Sequence, residues 1–330
     1  MIWFQFVVVG AIIIAAGSRL ARYGDIIGEK SGLGGSWIGV VLLAATTSLP
    51  ELFTGFSATA LHPLPDIALG DVLGSCMFNM VILSAMDSIH PGPLSARAHQ
   101  GHALAIGFGL LLVGVAGIGL VASPQLPALG WVGVYTPVLI GLYLVAMRVV
   151  FAHEKRLAQD STASDGHQNA GRMSLLAAGL RYAAAAVIVV VAAIRLPELG
   201  AELARQTGLG QAFVGTLFVA MTTSLPEIVV SLAAVRMGAV DLGVANVLGS
   251  NMFNFLILGF DDLFYRKGPL LQHAAPSHLV IVVALVMMNG AFLAGLTYRA
   301  ITKRFAVAWD TGAIAAIYAV AIALTYMLSS

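Results

Sequence analysis

Two glutamates, Glu51 and Glu227, close the same six residues. Thr46-Thr47-Ser48-Leu49-Pro50-Glu51 returns letter for letter as Thr222-Thr223-Ser224-Leu225-Pro226-Glu227. Both copies lie inside long apolar stretches, where an ionisable side chain is costly and marks a functional site by default. Each proline removes a backbone donor and clashes with the carbonyl four residues back, at Thr46 and Thr222. The freed carbonyls can turn into a cavity as oxygen ligands. In a continuous helix Thr47 and Glu51 would share a face one turn apart, as would Thr223 and Glu227. Each copy can therefore bring a carboxylate, hydroxyls and loosened carbonyls to one point, which is chemistry for a hard cation. One copy alone reads equally well as a structural kink with a satisfied glutamate. Two matched copies favour a cation site built by internal duplication, an arrangement found in transporters.

Calcium takes about six to eight oxygens, commonly including bidentate carboxylates, and two glutamates with threonine carbonyls supply them. Zinc prefers histidine or cysteine. No histidine falls in either repeat core: His90, His99, His102, His153, His167, His273 and His278 sit near loops or helix ends and read, like His62, as interfacial. A second pair of motifs is Gly74-Ser75-Cys76-Met77-Phe78-Asn79 and Gly249-Ser250-Asn251-Met252-Phe253-Asn254. The glycines allow close helix approach, and Ser75 with Asn79, or Ser250 with Asn254, lies on one face. Such polar pairs serve either as interhelical glue or as site members. Asp66 and Asp241 read as helix N-caps. Asp71 aligns with Asn246 and stays open between an additional cation or proton group and a carboxylate paired near the interface. Cys76, the one cysteine, aligns with Asn251 and reads as a small buried packing residue; alone, it excludes an intrachain disulfide and a Cys-rich metal site.

The elements that must hold these residues are transmembrane helices. Of 330 residues, 59% are hydrophobic and 10% charged, with a mean hydropathy of +0.91; a soluble domain carries about 25% charged residues. Ten spans are predicted, at approximately 2–18, 34–60, 66–87, 101–122, 128–151, 175–195, 209–236, 241–261, 277–297 and 307–328. Residues 153–174 form the one long polar stretch, read as a cytoplasmic linker between a first five-helix repeat (1–152) and a second (175–330). The chain begins without a positive residue before its apolar run, so the first segment is expected to remain as a transmembrane helix. With the N-terminus outside, Arg195, Arg205, Arg266 and Lys267 face out and the other 13 of the 17 Lys and Arg residues face the cytoplasm, consistent with the positive-inside rule. Both termini then lie outside, and five helices per half make the halves insert in opposite orientations. The duplication is wider than the hexapeptide: 32–54 on 208–230 gives 11 identities in 23 positions, including Gly32-Leu33-Gly34 on Gly208-Leu209-Gly210, and 66–83 on 241–258 gives 10 in 18. The expected class is an all-α polytopic membrane protein of ten transmembrane helices in two inverted five-helix repeats.

The paired Thr-Ser-Leu-Pro-Glu motifs, each followed by Gly-Ser-x-x-x-Asn, resemble the α-repeats of the cation/calcium antiporter superfamily, the membrane region of sodium/calcium exchangers. The likeness spans nearly the whole chain. It implies that Glu51 and Glu227 are shared calcium ligands, with backbone oxygen from Thr47 and Thr223. It also implies flanking sodium sites from Ala44, Thr47 and Ser75 in one repeat and Ala220, Thr223 and Ser250 in the other. Asn79 and Asn254 would line the centre, and helices one and six would slide to alternate access. Archaeal-type exchangers often have aspartate where this chain has Asn254, and Asp71 and Cys76 replace asparagines usual in the first repeat. These departures bear on the coupling ion rather than on the architecture.

The expected activity is calcium antiport against sodium, with the transported ions as cargo and no resident cofactor. Alternatives are coupling to protons, another hard divalent load such as manganese, and a passive cation channel using the same oxygens. Ala68-Leu69-Gly70-Asp71 comes within one residue of the Gly-x-Gly-Asp element of intramembrane aspartyl proteases, but no partner Tyr-Asp pair precedes it and no His-Glu-x-x-His motif occurs. An enzyme is therefore not expected. A net charge of +1 gives no basic surface for nucleic acid. The partner is the lipid bilayer, in a compact prokaryotic-style chain expected in the plasma (inner) membrane.

Overall fold

The structure, a computed structural model, describes residues 2–30, 43–99, 101–122, 124–160, 173–303 and 305–329. Gly32-Leu33-Gly34, the start of the predicted 34–60 span and most of the predicted linker lie outside the described residues. In chain order the helices are α1 (Ile2–Lys30), α2 (43–47), α3 (Leu49–Phe56), α4 (Pro65–Ile89), α5 (Leu94–Arg97), α6 (His102–Ala122), α7 (Tyr135–Asp160), α8 (Leu175–Ala193) and α9 (Leu196–Thr207). They continue with α10 (Gln211–Val214), α11 (Ala220–Thr223), α12 (Leu225–Arg236), α13 (Val240–Phe264), α14 (His278–Tyr298) and α15 (Trp309–Ser329). Wider π-helical turns, Ser57–Leu61 and Gly215–Val219, follow α3 and α10. A two-stranded hairpin pairs Ala128–Leu129 with Val132–Gly133.

Among the described residues eight helical stretches are long and apolar enough to cross a membrane. A ninth is Gln211–Thr223 with Leu225–Arg236, bent by 48° at Ser224. This is an integral, multi-pass membrane protein. Helices α4 and α13 occupy the centre: 89% and 72% of their spans are buried, against 22% of the span running from α8 through α9. They pack on each other, α4 also against α14 and α15, α13 against α6 and α7, while α1 lies along α8. Lipid is as apolar as leucine, so packing and polar contacts rather than hydrophobicity select the centre. Gly70 and Gly74 supply the close approach there. A β-carbon on Gly70 would stand 2.9 Å from the amide nitrogen of Thr216, and one on Gly74 would stand 2.7 Å from the Ala220 β-carbon.

Four aspartates tie the ends of the central helices to the rest of the bundle. Asp262 on α13 accepts hydrogen bonds from Gly133 N (2.8 Å), Leu270 N (2.6 Å), Tyr135 Oη (2.6 Å) and Thr136 Oγ1 (2.5 Å). Asp87 on α4 accepts from Leu94 N (2.7 Å), Ala308 N (2.5 Å) and Thr311 Oγ1 (2.7 Å), and pairs with Lys303 at 3.3 Å. At the opposite ends, Asp66 accepts from Ala275 N (2.6 Å) and meets His278 Nε2 at 3.2 Å, while Asp241 accepts from His99 N (2.7 Å) and meets His102 Nε2 at 2.9 Å. Leaving a buried donor unsatisfied costs about 1–3 kcal/mol, and Asp262 serves four. Asp262→Ala is therefore expected to lower the melting temperature in detergent more than Asp241→Ala does. Equal melting points would deny Asp262 this anchoring role.

Several expectations need correction. Asp66 and Asp241 sit inside the first turns of α4 and α13 without capping them; their carboxylates reach across to the segments before α14 and α6. His278 and His102 open α14 and α6, at helix ends as expected, and are the buried partners of those carboxylates, with side chains 0% and 9% exposed. The fifth span begins at Tyr135, because the hairpin turning at Gly130 (φ +70°) takes up the preceding residues. The first helix runs past its apolar stretch to Lys30, and α9 carries the sixth span to Thr207.

Candidate cation site

Both hexapeptides break their helices at the serine. Ser48 (φ −86°, ψ 14°) separates α2 from α3, and Ser224 (φ −84°, ψ 10°) separates α11 from α12. Pro50 and Pro226 occupy the first turn after the break, where their missing N–H is no loss. Ser48 N still donates back to Ala44 O (3.0 Å) and Ser224 N to Ala220 O (3.1 Å), and the following helices open with Leu52 N donating to Ser48 O (3.1 Å) and Ile228 N to Ser224 O (3.4 Å). Glu51 and Glu227 thus fall in the first turns of α3 and α12, whose N-terminal dipoles favour a carboxylate. Discontinuous helices of this kind bring positive and negative helix ends to one place.

The two breaks interlock. Ser224 Oγ donates to Glu51 Oε1 (2.9 Å), and Ser48 Oγ donates to Glu227 Oε1 (3.1 Å). Each serine therefore holds the carboxylate of the other copy, and both glutamates are wholly buried. The central helices complete the ring. Ser75 Oγ on α4 lies 3.5 Å from Glu51 Oε1, 3.3 Å from Thr223 Oγ1 and 3.4 Å from Ala220 O. Ser250 Oγ on α13 lies 3.4 Å from both Glu227 Oε1 and Thr47 Oγ1, and Thr47 Oγ1 donates to Ala44 O at 3.0 Å. One turn further along each helix, Asn79 and Asn254 are fully buried, and Asn79 Nδ2 donates to Asn251 Oδ1 at 3.0 Å.

All ten predicted site residues (Ala44, Thr47, Glu51, Ser75, Asn79, Ala220, Thr223, Glu227, Ser250 and Asn254) lie on this core formed by α2, α3, α4, α11, α12 and α13. The groupings cross, however. Ser75 faces Ala220 and Thr223, while Ser250 faces Thr47 and, through Gly249, Ala44, whose β-carbon would lie 3.1 Å from a β-carbon at Gly249. Among the ten predicted site residues, four buried acceptor oxygens have no hydrogen-bond donor: Glu51 Oε2, Glu227 Oε2, Asn79 Oδ1 and Asn254 Oδ1. Unsatisfied buried acceptors are costly, and four in one core form an oxygen-only set suited to a calcium-like ion. Among the described residues no three His, Cys, Asp or Glu side chains form a metal-holding group, so any cation here relies on hydroxyl, amide and backbone oxygens beside two carboxylates.

Sequence reasoning missed Ser48 and Ser224 as site members. Their signal was present, since both are polar, duplicated and adjacent to the prolines, but their partners lie 179 and 173 residues away. Ser48→Ala or Ser224→Ala leaves one carboxylate oxygen without its donor while keeping both charges. Each is expected to raise the calcium concentration for half-maximal uptake by about tenfold to a hundredfold, since a hydrogen bond to a charged group contributes about 1.5–3 kcal/mol. An unshifted uptake curve in both variants would deny the serines a role in holding the glutamates.

A family model for sodium/calcium exchanger proteins matches residues 1–152 and 178–328. The chain is 26% identical over 251 residues to the inner membrane protein YrbG of Escherichia coli, covering 75% of this chain and 74% of that one. It is 42% identical over 78 residues to the sodium/calcium exchanger MaX1 of Methanosarcina acetivorans, covering 23% of this chain and 22% of that one. Among solved structures, the sodium-calcium exchanger NCX_Mj matches with a TM-score of 0.64 at 22% identity, over 98% of this chain and 99% of that one. Native YfkE matches with a TM-score of 0.69 at 17% identity, over 98% of this chain and 92% of that one.

Proposed function

Because the chain belongs to the sodium/calcium exchanger protein family, a family of cation antiporters rather than enzymes, we propose that it carries calcium across the membrane in exchange for sodium by alternating access. Glu51 and Glu227 are the shared central ligands in this reading. Thr47, Thr223, Ala44, Ala220, Ser75, Ser250, Asn79 and Asn254 supply the remaining oxygens. The observation that carries the reading is the reciprocal clasp, Ser224 on Glu51 and Ser48 on Glu227, which ties the two duplicated motifs into one buried anionic centre.

The charges lead to exchange rather than leak. Two ionised glutamates carry two negative charges, which one calcium or two monovalent cations neutralise. An ion-free, doubly ionised centre is expensive to seal in a low-dielectric interior, so occlusion follows binding of one cargo or the other. In the same reading the halves 1–152 and 175–330 insert in opposite orientations, joined by a cytoplasmic linker at 153–174, with both termini outside the plasma (inner) membrane. Supporting this are the paired contacts that recur about 175 positions apart: Asp66 with His278 against Asp241 with His102, and the end-anchors Asp87 against Asp262.

Calcium uptake into vesicles holding the purified protein, with sodium and pH gradients imposed separately, tests the proposal. An outward sodium gradient is expected to drive calcium uptake. Uptake driven by the pH gradient alone would replace sodium with protons as counter-ion. Calcium movement needing no counter-ion, with unitary conductance in bilayers, would make the protein a channel.

A further inference from the structure

The two mirror-related oxygen clusters around the glutamates differ in one residue. In the cluster of Ser75, Ala220 and Thr223, Asp71 Oδ1 accepts a hydrogen bond from Thr223 Oγ1 at 2.9 Å. At the aligned position of the other half, Asn246 turns elsewhere and donates to Ser231 Oγ at 3.2 Å. Asp71 is wholly buried, and its Oδ2 has no hydrogen-bond partner. Among the described residues no lysine, arginine or histidine pairs with it. A buried carboxylate compensated by one hydroxyl alone is strongly disfavoured, so a purely structural role for Asp71 is a poor use of its charge.

The spacing within this cluster also points to a cation. A hydroxyl donating to oxygen normally sits about 2.7–2.8 Å away. Ser75 Oγ instead stands 3.3 to 3.5 Å from Thr223 Oγ1, Ala220 O and Glu51 Oε1. Oxygens arranged octahedrally about 2.3–2.6 Å from a common cation stand roughly 3.3–3.7 Å from one another. Sodium and calcium have nearly the same radius, so both fit that spacing. Glu51 also lies within Coulombic range of both Glu227 and Asp71. Asp261 on α13, buried and without a hydrogen-bond partner, also lies within Coulombic range of Asp71; counting only Glu51, Glu227 and Asp71 as ionised gives the site three negative charges. Calcium at the glutamate pair leaves one uncompensated, and that remainder suits a monovalent ion.

We infer that Asp71 is a further cation ligand, making the cluster of Ser75, Ala220 and Thr223 a doubly anionic site for a monovalent cation of sodium's size. The cluster of Ser250, Thr47 and Ala44 is its singly charged counterpart. This rests on the proposed exchange function for its biological meaning, but it makes a binding statement that can be tested alone. In transport, the asymmetry makes the Asp71 side the tighter sodium position, and a core with three ionised carboxylates needs three monovalent cations for neutrality.

Radioactive sodium binding to the purified full-length protein, without calcium, is the test. Asp71→Asn keeps the shape of the side chain and an oxygen for the Thr223 hydroxyl while removing the charge. It is expected to raise the half-saturating sodium concentration about tenfold or more. Asp71→Glu is expected to recover part of that loss, and Asn246→Ala to stay within about twofold of the parent. An unchanged isotherm in Asp71→Asn, equal weakening in Asn246→Ala, or a parent protein that binds no sodium would each overturn the inference. Should sodium bind through Asp71 while no ionic gradient moves calcium, the exchange proposal fails and this assignment stands.

Discussion

Glutamine at position 51 or at position 227 is expected to reduce calcium flux in proteoliposomes by at least about a hundredfold. Removing one partner of a buried ionic arrangement costs about 3–5 kcal/mol, which is on the order of a hundredfold to several thousandfold at 1.4 kcal/mol per decade. Glutamine keeps the side-chain length and an oxygen able to accept from Ser224 or Ser48, which contact Oε1 of Glu51 and Glu227. The variants should therefore insert and purify like the parent, and the loss should lie in transport. The two substitutions should also be comparable, because each copy supplies one carboxylate to one centre. Calcium uptake by purified Glu51→Gln or Glu227→Gln under a sodium gradient decides the matter: near-normal exchange in either would refute the shared-ligand assignment.

Alanine at Gly74 should have the next largest effect, through packing rather than charge. A β-carbon there would overlap the backbone carbonyl oxygen of Thr216 and stand 2.7 Å from both Thr216 Cα and the Ala220 β-carbon. Those neighbours belong to the π-helical turn Gly215–Val219 and the start of α11, so backbone must move to make room. Overpacking of this kind typically costs about 1–3 kcal/mol. The displacement also draws Ser75 away from Ala220 O and Thr223 Oγ1, so a lower melting temperature and weaker cation dependence should appear together. Gly107 and Gly114 on α6 have no atom within 4 Å of an added β-carbon, and alanine at either should leave both measurements unchanged. A Gly74→Ala protein that melts and transports like those controls would show that the close approach is dispensable.

Much of the candidate site was legible because its residues break local rules in duplicate. Glutamate and proline inside an apolar run are conspicuous, and repetition removes coincidence; Ser75 and Asn79, with their counterparts, stood out on the same ground. Other features were hidden because they involve contacts between residues more than a hundred positions apart. Asp66 looked like an N-cap since it opens a helix, yet its carboxylate serves Ala275 and His278 more than 200 residues later. The carboxylate partners of His278 and His102 were hidden likewise, since nothing nearby in the chain announces those aspartates.

By itself, then, the amino-acid order determined a multi-pass helical membrane protein with two proline-broken segments, each carrying a buried acid, because hydropathy, proline sterics and repetition are local properties. Only the tertiary structure decided which serine holds which glutamate, that Ser75 serves the second copy's carbonyl and Ser250 the first copy's threonine, and that Asp71 joins one cluster while Asn246 leaves the other. These pairings depend on how α4 and α13 cross the two breaks. That crossing is set by glycine-permitted contacts between distant segments, which no local pattern encodes.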